Sequence, residues 1–168
     1  MGDIRLTVEI DESKFSGRRK YNRGQIRQEV WVFGGVETGN RNNCFLVEVP
    51  RRNRATLLPI IRRWIRPGTT IISDCWGAYN CLQHQGYQHL TVNHTYNFVD
   101  PDTGAHTNTI ESTWSHAKRI LPRTGTSKDL LSSYLIEFMY RRKYLNHQAD
   151  HFLVLLEHIA RVYDIQNN

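Results

Sequence analysis

Two stretches decide the fold: Leu6-Thr7-Val8-Glu9-Ile10-Asp11 near the start and Thr69-Thr70-Ile71-Ile72-Ser73-Asp74 near the middle. The first alternates apolar and polar residues, as a half-buried strand does. The second is rich in β-branched residues, which suit a strand. Each ends on an aspartate, so the sequence places Asp11 and Asp74 at strand ends. Between them, Glu29 to Val36 and Cys44 to Val49 read as two further strands. Gly39 to Asn43 is turn chemistry, which makes these two a hairpin.

A helix follows, with Thr56 read as its N-cap and Pro59 tolerated in the first turn. Its apolar residues Leu57, Ile60, Ile61, Trp64 and Ile65 have helical spacing, and Pro67-Gly68 ends it. After Asp74, Ala78 to Gln85 reads as a short helix closed by Gly86, and His89 to Val92 as a fifth strand. Asn93 to Thr107 is a polar loop. Three helices complete the chain: Asn108 to about Leu121 with Pro122 as the stop, Lys128 to Asn146, and Asp150 to Tyr163. A meander of strands followed by βα units predicts an α/β fold. The expected architecture is a ribonuclease H-like mixed five-stranded sheet flanked by helices, with extra C-terminal helices.

The 168 residues suit one domain with a real core. No apolar run reaches the ~20 residues of a membrane span. The start of the chain has no apolar signal-peptide core. Cys44, Cys75 and Cys81 form no CxxC pair, so neither a disulfide framework nor a cysteine zinc site is expected. The formal net charge of +6 favours a polyanionic partner. Basic residues cluster in two places, a loop with Arg18, Arg19, Lys20 and Arg23, and the run Arg141-Arg142-Lys143. Both are candidates for nucleic-acid backbone contacts, and both equally suit a solvated surface.

A third acid, Glu111, stands in the first turn of the helix that begins at Asn108. Two strand-end carboxylates and one on a neighbouring helix could converge on divalent metal ions. Two Mg²⁺ ions about 3.5–4 Å apart can activate a hydroxyl and stabilise the charge of phosphodiester cleavage. Each acid also has a structural reading. Asp11 could close a turn, Asp74 could cap the next helix, and Asn108 to Glu111 could form a capping box. Asn108, Glu111, Ser115 and Lys118 share one helical face. His147 and His151 beside Asp150 lack the ligands for a zinc site. Trp76 and Trp114 lie close in sequence to two of the acids, where each could pack beneath the site or stack on a base.

The segments VEIDESKF (Val8 to Phe15), WVFGGVE (Trp31 to Glu37), TTIISDCWGAY (Thr69 to Tyr79), VNHTYNFVDPDTGAHTNTIESTWSHAK (Val92 to Lys118) and EFMYRRKY (Glu137 to Tyr144) carry a resemblance. Together they resemble the Merlin superfamily of DNA transposons and its bacterial insertion-sequence relatives. The resemblance implies a DDE transposase catalytic domain that cleaves transposon ends and joins the 3′-hydroxyl to target DNA. It implies Asp11, Asp74 and Glu111 as catalytic and metal-binding residues, with two Mg²⁺ ions, or Mn²⁺ as a substitute. It further implies contact of Lys118 and Asn108 with DNA, and support of the site by His94 and His106. Implied partners are DNA ends, target DNA and further copies of the chain, as a homodimer or higher multimer. The implied location is the nucleus of a eukaryotic host or the cytoplasm of a bacterial one. Such transposases carry a DNA-binding region ahead of the first acid. Ten residues precede Asp11, so the expectation is a single catalytic domain over residues 1–168 without that region. Two alternatives stay open: a domesticated or truncated DNA-binding protein, and a nuclease of the same fold without strand transfer.

Overall fold

The structure is a computed structural model that describes residues 6–15, 29–93, 99–121, 128–145 and 150–163. Five strands form one sheet: β1 (Thr7–Phe15), β2 (Val30–Glu37), β3 (Asn40–Val49), β4 (Thr70–Asp74) and β5 (Gln88–Val92). The helices are α1 (Arg54–Trp64), α2 (Asn108–Ile120), α3 (Lys128–Tyr140) and α4 (His151–Val162). A π-helical turn, Arg141–Leu145, extends α3. The strand order is β3-β2-β1-β4-β5. β1 to β3 are antiparallel neighbours, while β1, β4 and β5 run parallel. This is the mixed sheet that the element order predicts.

Strand alternation sorts the apolar residues into two cores. Ile10, Phe33, Phe45 and Ile71 point to one face and pack with Leu57 and Ile61 of α1. Val32, Val36 and Leu46 point to the other and pack with Ile110 and Trp114 of α2 and Leu135 of α3. Because both faces are covered, Glu9, Glu12 and Ser13 of β1 are buried. Glu9 is fully buried, and Asp11 is half-buried beside it. The half-exposed strand expected over residues 6–11 is therefore a central strand closed on both sides.

Several boundaries differ from the sequence reading. β1 continues past Asp11 to Phe15, because β2 pairs with it along its length, up to Phe15 opposite Val30. Asp11 therefore sits inside the strand. The hairpin turns at Thr38-Gly39, and residues 40–43 belong to β3, with a register irregularity at Val36/Glu37. The cap of α1 is Asn53, whose side chain accepts the Thr56 N–H at 2.9 Å. Thr56 is inside the helix. The helix expected over 78–85 is two 3₁₀ turns, Gly77–Tyr79 and Leu82–Gln85, closed by Gly86 at φ +82°. The last turn of the helix expected to run to Asn146 widens into the π turn over 141–145. Pro122 and His147 lie outside the described residues. Among those described, no helix is long and apolar enough to cross a membrane.

The start of α2 is held from the sheet. Glu9 Oε2 accepts the Thr109 N–H at 2.8 Å and the Ile110 N–H at 2.9 Å. A carboxylate there satisfies two otherwise orphaned donors and faces the positive end of the helix dipole. Glu9→Ala leaves those buried N–H groups unpaired, which costs about 3 kcal/mol. Chemical denaturation should show that loss, and Glu9→Gln, which keeps an acceptor, should lose distinctly less. Equal stability of Glu9→Ala and the parent chain would contradict this role.

Candidate functional site

The parallel pairing of β1 with β4 sets Thr7 opposite Thr70, Val8 opposite Ile71 and Glu9 opposite Ile72. Continued by two residues, that register brings Asp11 level with Asp74. Both then lie on the sheet face covered by α2. Glu111 lies one turn into α2, on its solvent side, and Asn108, Ser115 and Lys118 are exposed with it. The shared polar face read from the sequence is therefore present.

Each acid is oriented by a donor. Trp114 Nε1 donates to Asp11 Oδ2 at 3.0 Å. The Trp76 backbone N–H donates to Asp74 Oδ1 at 3.1 Å. Thr107 Oγ1 donates to Glu111 Oε1 at 3.1 Å. Asp74 thus makes a local turn contact but is not the cap of the next helical turn, which is Trp76. The Asn108–Glu111 capping box does not form. Thr107 is the cap residue, and Glu9 takes the helix N–H groups.

Trp114 reaches Asp11 because of Gly34. Gly34 pairs with Asp11 across β1 and β2. A Cβ at Gly34 would lie 2.6 Å from the Trp114 ring and 2.7 Å from Leu46 Cδ2. Any side chain there displaces the indole from the site. Phe15 meets the same indole edge-on, with centroids 5.9 Å apart. Lys118 Nζ lies 5.3 Å from the Phe15 ring centroid. Burial pulls the Lys118 ammonium down, and the nearby Asp11 charge opposes that pull.

Burial pushes the Asp11 carboxyl up to about 6. Hydrogen bonds from the Glu12 backbone and Trp114 pull it down, and the negative charges of Asp74 and Glu111 add to the rise. Both acids therefore lie close enough to act on Asp11. Among the described residues, no three His, Cys, Asp or Glu side chains are gathered closely enough to enclose an ion. The donor set nonetheless fits a hard divalent cation. It consists of carboxylate oxygens, and Mg²⁺ keeps several waters and needs few protein ligands.

The opposite face of β1 carries a cluster that the sequence reading missed. Burial raises the Glu12 carboxyl, which accepts a hydrogen bond from the Tyr79 hydroxyl. Arg52 Nη2 lies 3.3 Å from Glu12 Oε2. The Arg52 guanidinium stands 4.3 Å from the Trp31 ring centroid and 5.1 Å from that of Trp76. This cluster ties the strand that carries Asp11 to the turn after Asp74. Glu9 was missed too. The one available signal was an acid two residues before Asp11, on the same side of the strand.

Of the remaining candidates, His106 is half-buried, with Nδ1 3.5 Å from Glu9 Oε1. It belongs to the seat of α2. His94, Arg18, Arg19, Lys20 and Arg23 lie outside the described residues. In the second basic cluster, Arg142 Nη1 donates to Thr113 Oγ1 at 3.1 Å, and Arg141 pairs with Glu137 at 2.8 Å. Both arginines line a cleft of about 660 Å³, together with Arg41 and His116.

The ISXO2-like transposase domain matches residues 5–143, which include every element from β1 to α3. The chain belongs to this family. A Haemophilus influenzae protein described as an uncharacterized transposase-like protein is 34% identical over 98 residues, or 58% of this chain and 78% of its own. The HTLV-2 integrase catalytic core domain, solved in complex with magnesium in a dimeric form, has a TM-score of 0.50 at 11% identity. That match covers 82% of this chain and 85% of the integrase chain. A pre-cleavage Mos1 transpososome gives 0.49 at 13% identity, over 98% of this chain and 57% of the other. The transposase domain thus has the ribonuclease H-like architecture expected from its element order.

The raised Asp11 carboxyl has a consequence for stability. Its folded value of about 6 lies above the ordinary 3.8, so the folded domain binds more protons between those values. Stability therefore falls as pH rises from about 4 to about 6, and stays lower above that window, by roughly 3 kcal/mol. Asp11→Asn removes the charge and keeps an oxygen for Trp114. In chelator at neutral pH it should melt above the parent domain, and near pH 4 the two should converge. A variant that melts lower at both pH values would contradict this.

Proposed function

We propose that this transposase domain cleaves DNA at transposon ends and joins the freed 3′-hydroxyl to target DNA, with Asp11, Asp74 and Glu111 as its catalytic, metal-binding residues. What supports the reading is the register of β1 and β4, which continued by two residues sets Asp11 level with Asp74, together with the action of the Asp74 and Glu111 charges on Asp11. Family membership supports the reaction class. The likeness of the DPDTGAHTNTIESTW run to Merlin elements supports the closer kinship.

The three acids would hold one or two Mg²⁺ or Mn²⁺ ions. When bound, the metal supplies a Lewis acid that lowers the pKa of a nucleophilic hydroxyl and offsets the charge of the five-coordinate phosphorus. The chain's own residues keep the acids in place. Trp114, Trp76 and Thr107 fix the rotation of the three carboxylates, as outer hydrogen bonds fix metal ligands generally. The Lys118 ammonium, beside Asp11, suits a phosphate oxygen of the bound strand. In the first step a water oxygen attacks phosphorus, the 3′-oxygen leaves, and a 3′-hydroxyl and a 5′-phosphate result. In the second step that 3′-hydroxyl attacks a target phosphodiester, whose own 3′-oxygen departs. The cleft lined by Arg41, Arg141 and Arg142 offers a path for the DNA backbone.

Labelled duplexes carrying a transposon end test this reading. Cleavage and joining should require Mg²⁺ or Mn²⁺, and Asp74→Asn or Glu111→Gln should each lower the rate at least ~100-fold. A pre-cut end bearing a 3′-hydroxyl should yield joined product, which separates a transposase from a nuclease of the same fold. Undiminished activity in both variants would overturn the assignment. DNA binding without metal-dependent turnover would favour a DNA-binding protein instead.

A further inference from the structure

The backbone ladder between β1 and β4 ends at Glu9 and Ile72, two residues short of Asp11 and Asp74. Beyond it β1 runs on beside β2 alone, as far as Phe15, and β4 beside β5 alone, as far as Asp74. Among the described residues, no backbone pairing therefore fixes the distance between the two acids. Strands that part at the carboxyl end of a sheet open a crevice there. Its width has to be held by side chains.

A ring of contacts spans the gap from the opposite face. Glu12 follows Asp11 in β1 and so points away from it. Its side chain is 1% exposed, and its carboxylate takes Arg52 Nη2 at 3.3 Å and the Tyr79 hydroxyl. The Arg52 guanidinium stands against both indoles, 4.3 Å from the Trp31 centroid and 5.1 Å from that of Trp76. The Trp76 ring meets Tyr79 edge-on at 5.5 Å, and the Trp76 backbone N–H is the donor that orients Asp74. Arg52 is itself anchored, because the next residue, Asn53, caps α1.

We propose that Arg52 is a positioning residue that sets the separation of Asp11 and Asp74, by tying Trp76 to Glu12 where the backbone ladder has ended. A guanidinium suits this task. It is flat enough to stack on an indole while its forked edge bonds a carboxylate. A bond between two charged groups is also stronger than a neutral one. A cation that merely neutralised Glu12 would need no seat between two indoles. What the separation does for a metal rests on the reading of Asp11 and Asp74 as metal ligands. The clamp itself does not, so the two are tested apart.

Exchange of the Trp76 backbone amide, followed by NMR on the full chain in chelator, reads the clamp directly. Arg52→Ala should speed it about tenfold, while the Thr109 and Ile110 amides keep their protection. Arg52→Lys leaves Glu12 a cation and so secures the fold, but puts no flat group on the indoles. Its rate should fall between those of Arg52→Ala and the parent chain. In a calorimetric titration with Mn²⁺ alone, Asp74→Asn should weaken binding, and Arg52→Ala should weaken it by about tenfold or more. Unchanged Trp76 exchange in Arg52→Ala would overturn the proposal, as would an Arg52→Lys variant that matches the parent. Equal acceleration at Thr109 and Ile110 would show a general loss of stability and overturn a local role. Mn²⁺ binding weakened by Asp74→Asn and untouched by Arg52→Ala would also overturn it. Mn²⁺ binding that is the same in the parent and Asp74→Asn would instead overturn the metal reading, with the exchange rates still deciding the clamp.

Discussion

The Glu9 carboxylate, set against the first N–H groups of α2, is the interaction on which the rest of the site depends. β1 is the middle strand of the sheet, so its position is fixed by neighbours on both sides. α2 arrives a hundred residues later and has no side-chain cap of its own, because Thr107 turns its hydroxyl to Glu111. A buried acid on the central strand supplies the cap instead. That fixes the rotation and height of the helix over the sheet. Trp114 then falls on Asp11, and Glu111 comes to the edge of the same face. One side chain, two residues before Asp11, links the strand frame to the helix that completes the site.

The price of this arrangement appears at Asp11. Burial and two neighbouring negative charges disfavour its ionised form, while the Trp114 N–H offsets only part of that. An ordinary fold would relieve such a strain by placing a cation among the acids or a neutral residue at position 11. Among the described residues, the Lys118 ammonium acts on Asp11 from an exposed position set against Phe15. Gly34 belongs to the same design. Its missing side chain is the space in which the indole stands.

The fold is legible because its signals are local. β-branched runs, Gly39 at a turn and helical apolar spacing name the elements in order, and the order names the sheet. Two of the errors share one cause, which is partners distant in sequence. Glu12-Ser13-Lys14 looks like the polar end of a strand. Yet Glu12 is buried against Tyr79 and Arg52, 67 and 40 positions away. Glu9 looks solvent-facing until α2 covers it. Thr56 looks like a cap, and only the backbone shows Asn53 in that role. The acids themselves are found by motif. Spacing alone leaves capping roles open, and the structure gives the cap position after Asp74 to Trp76 and that of α2 to Thr107. The apolar spacing of α4 spells a helix, with nothing in the sequence to show that its apolar side chains stay exposed among the described residues.

Anomalous diffraction from crystals grown with Mn²⁺ would decide whether the three acids form a metal site. The expected result is anomalous density bounded by the carboxylates of Asp11, Asp74 and Glu111, with Trp114 still donating to Asp11, and no such density in Asp11→Asn crystals. Mn²⁺ bound elsewhere, with these three acids unoccupied at saturating metal, would contradict it.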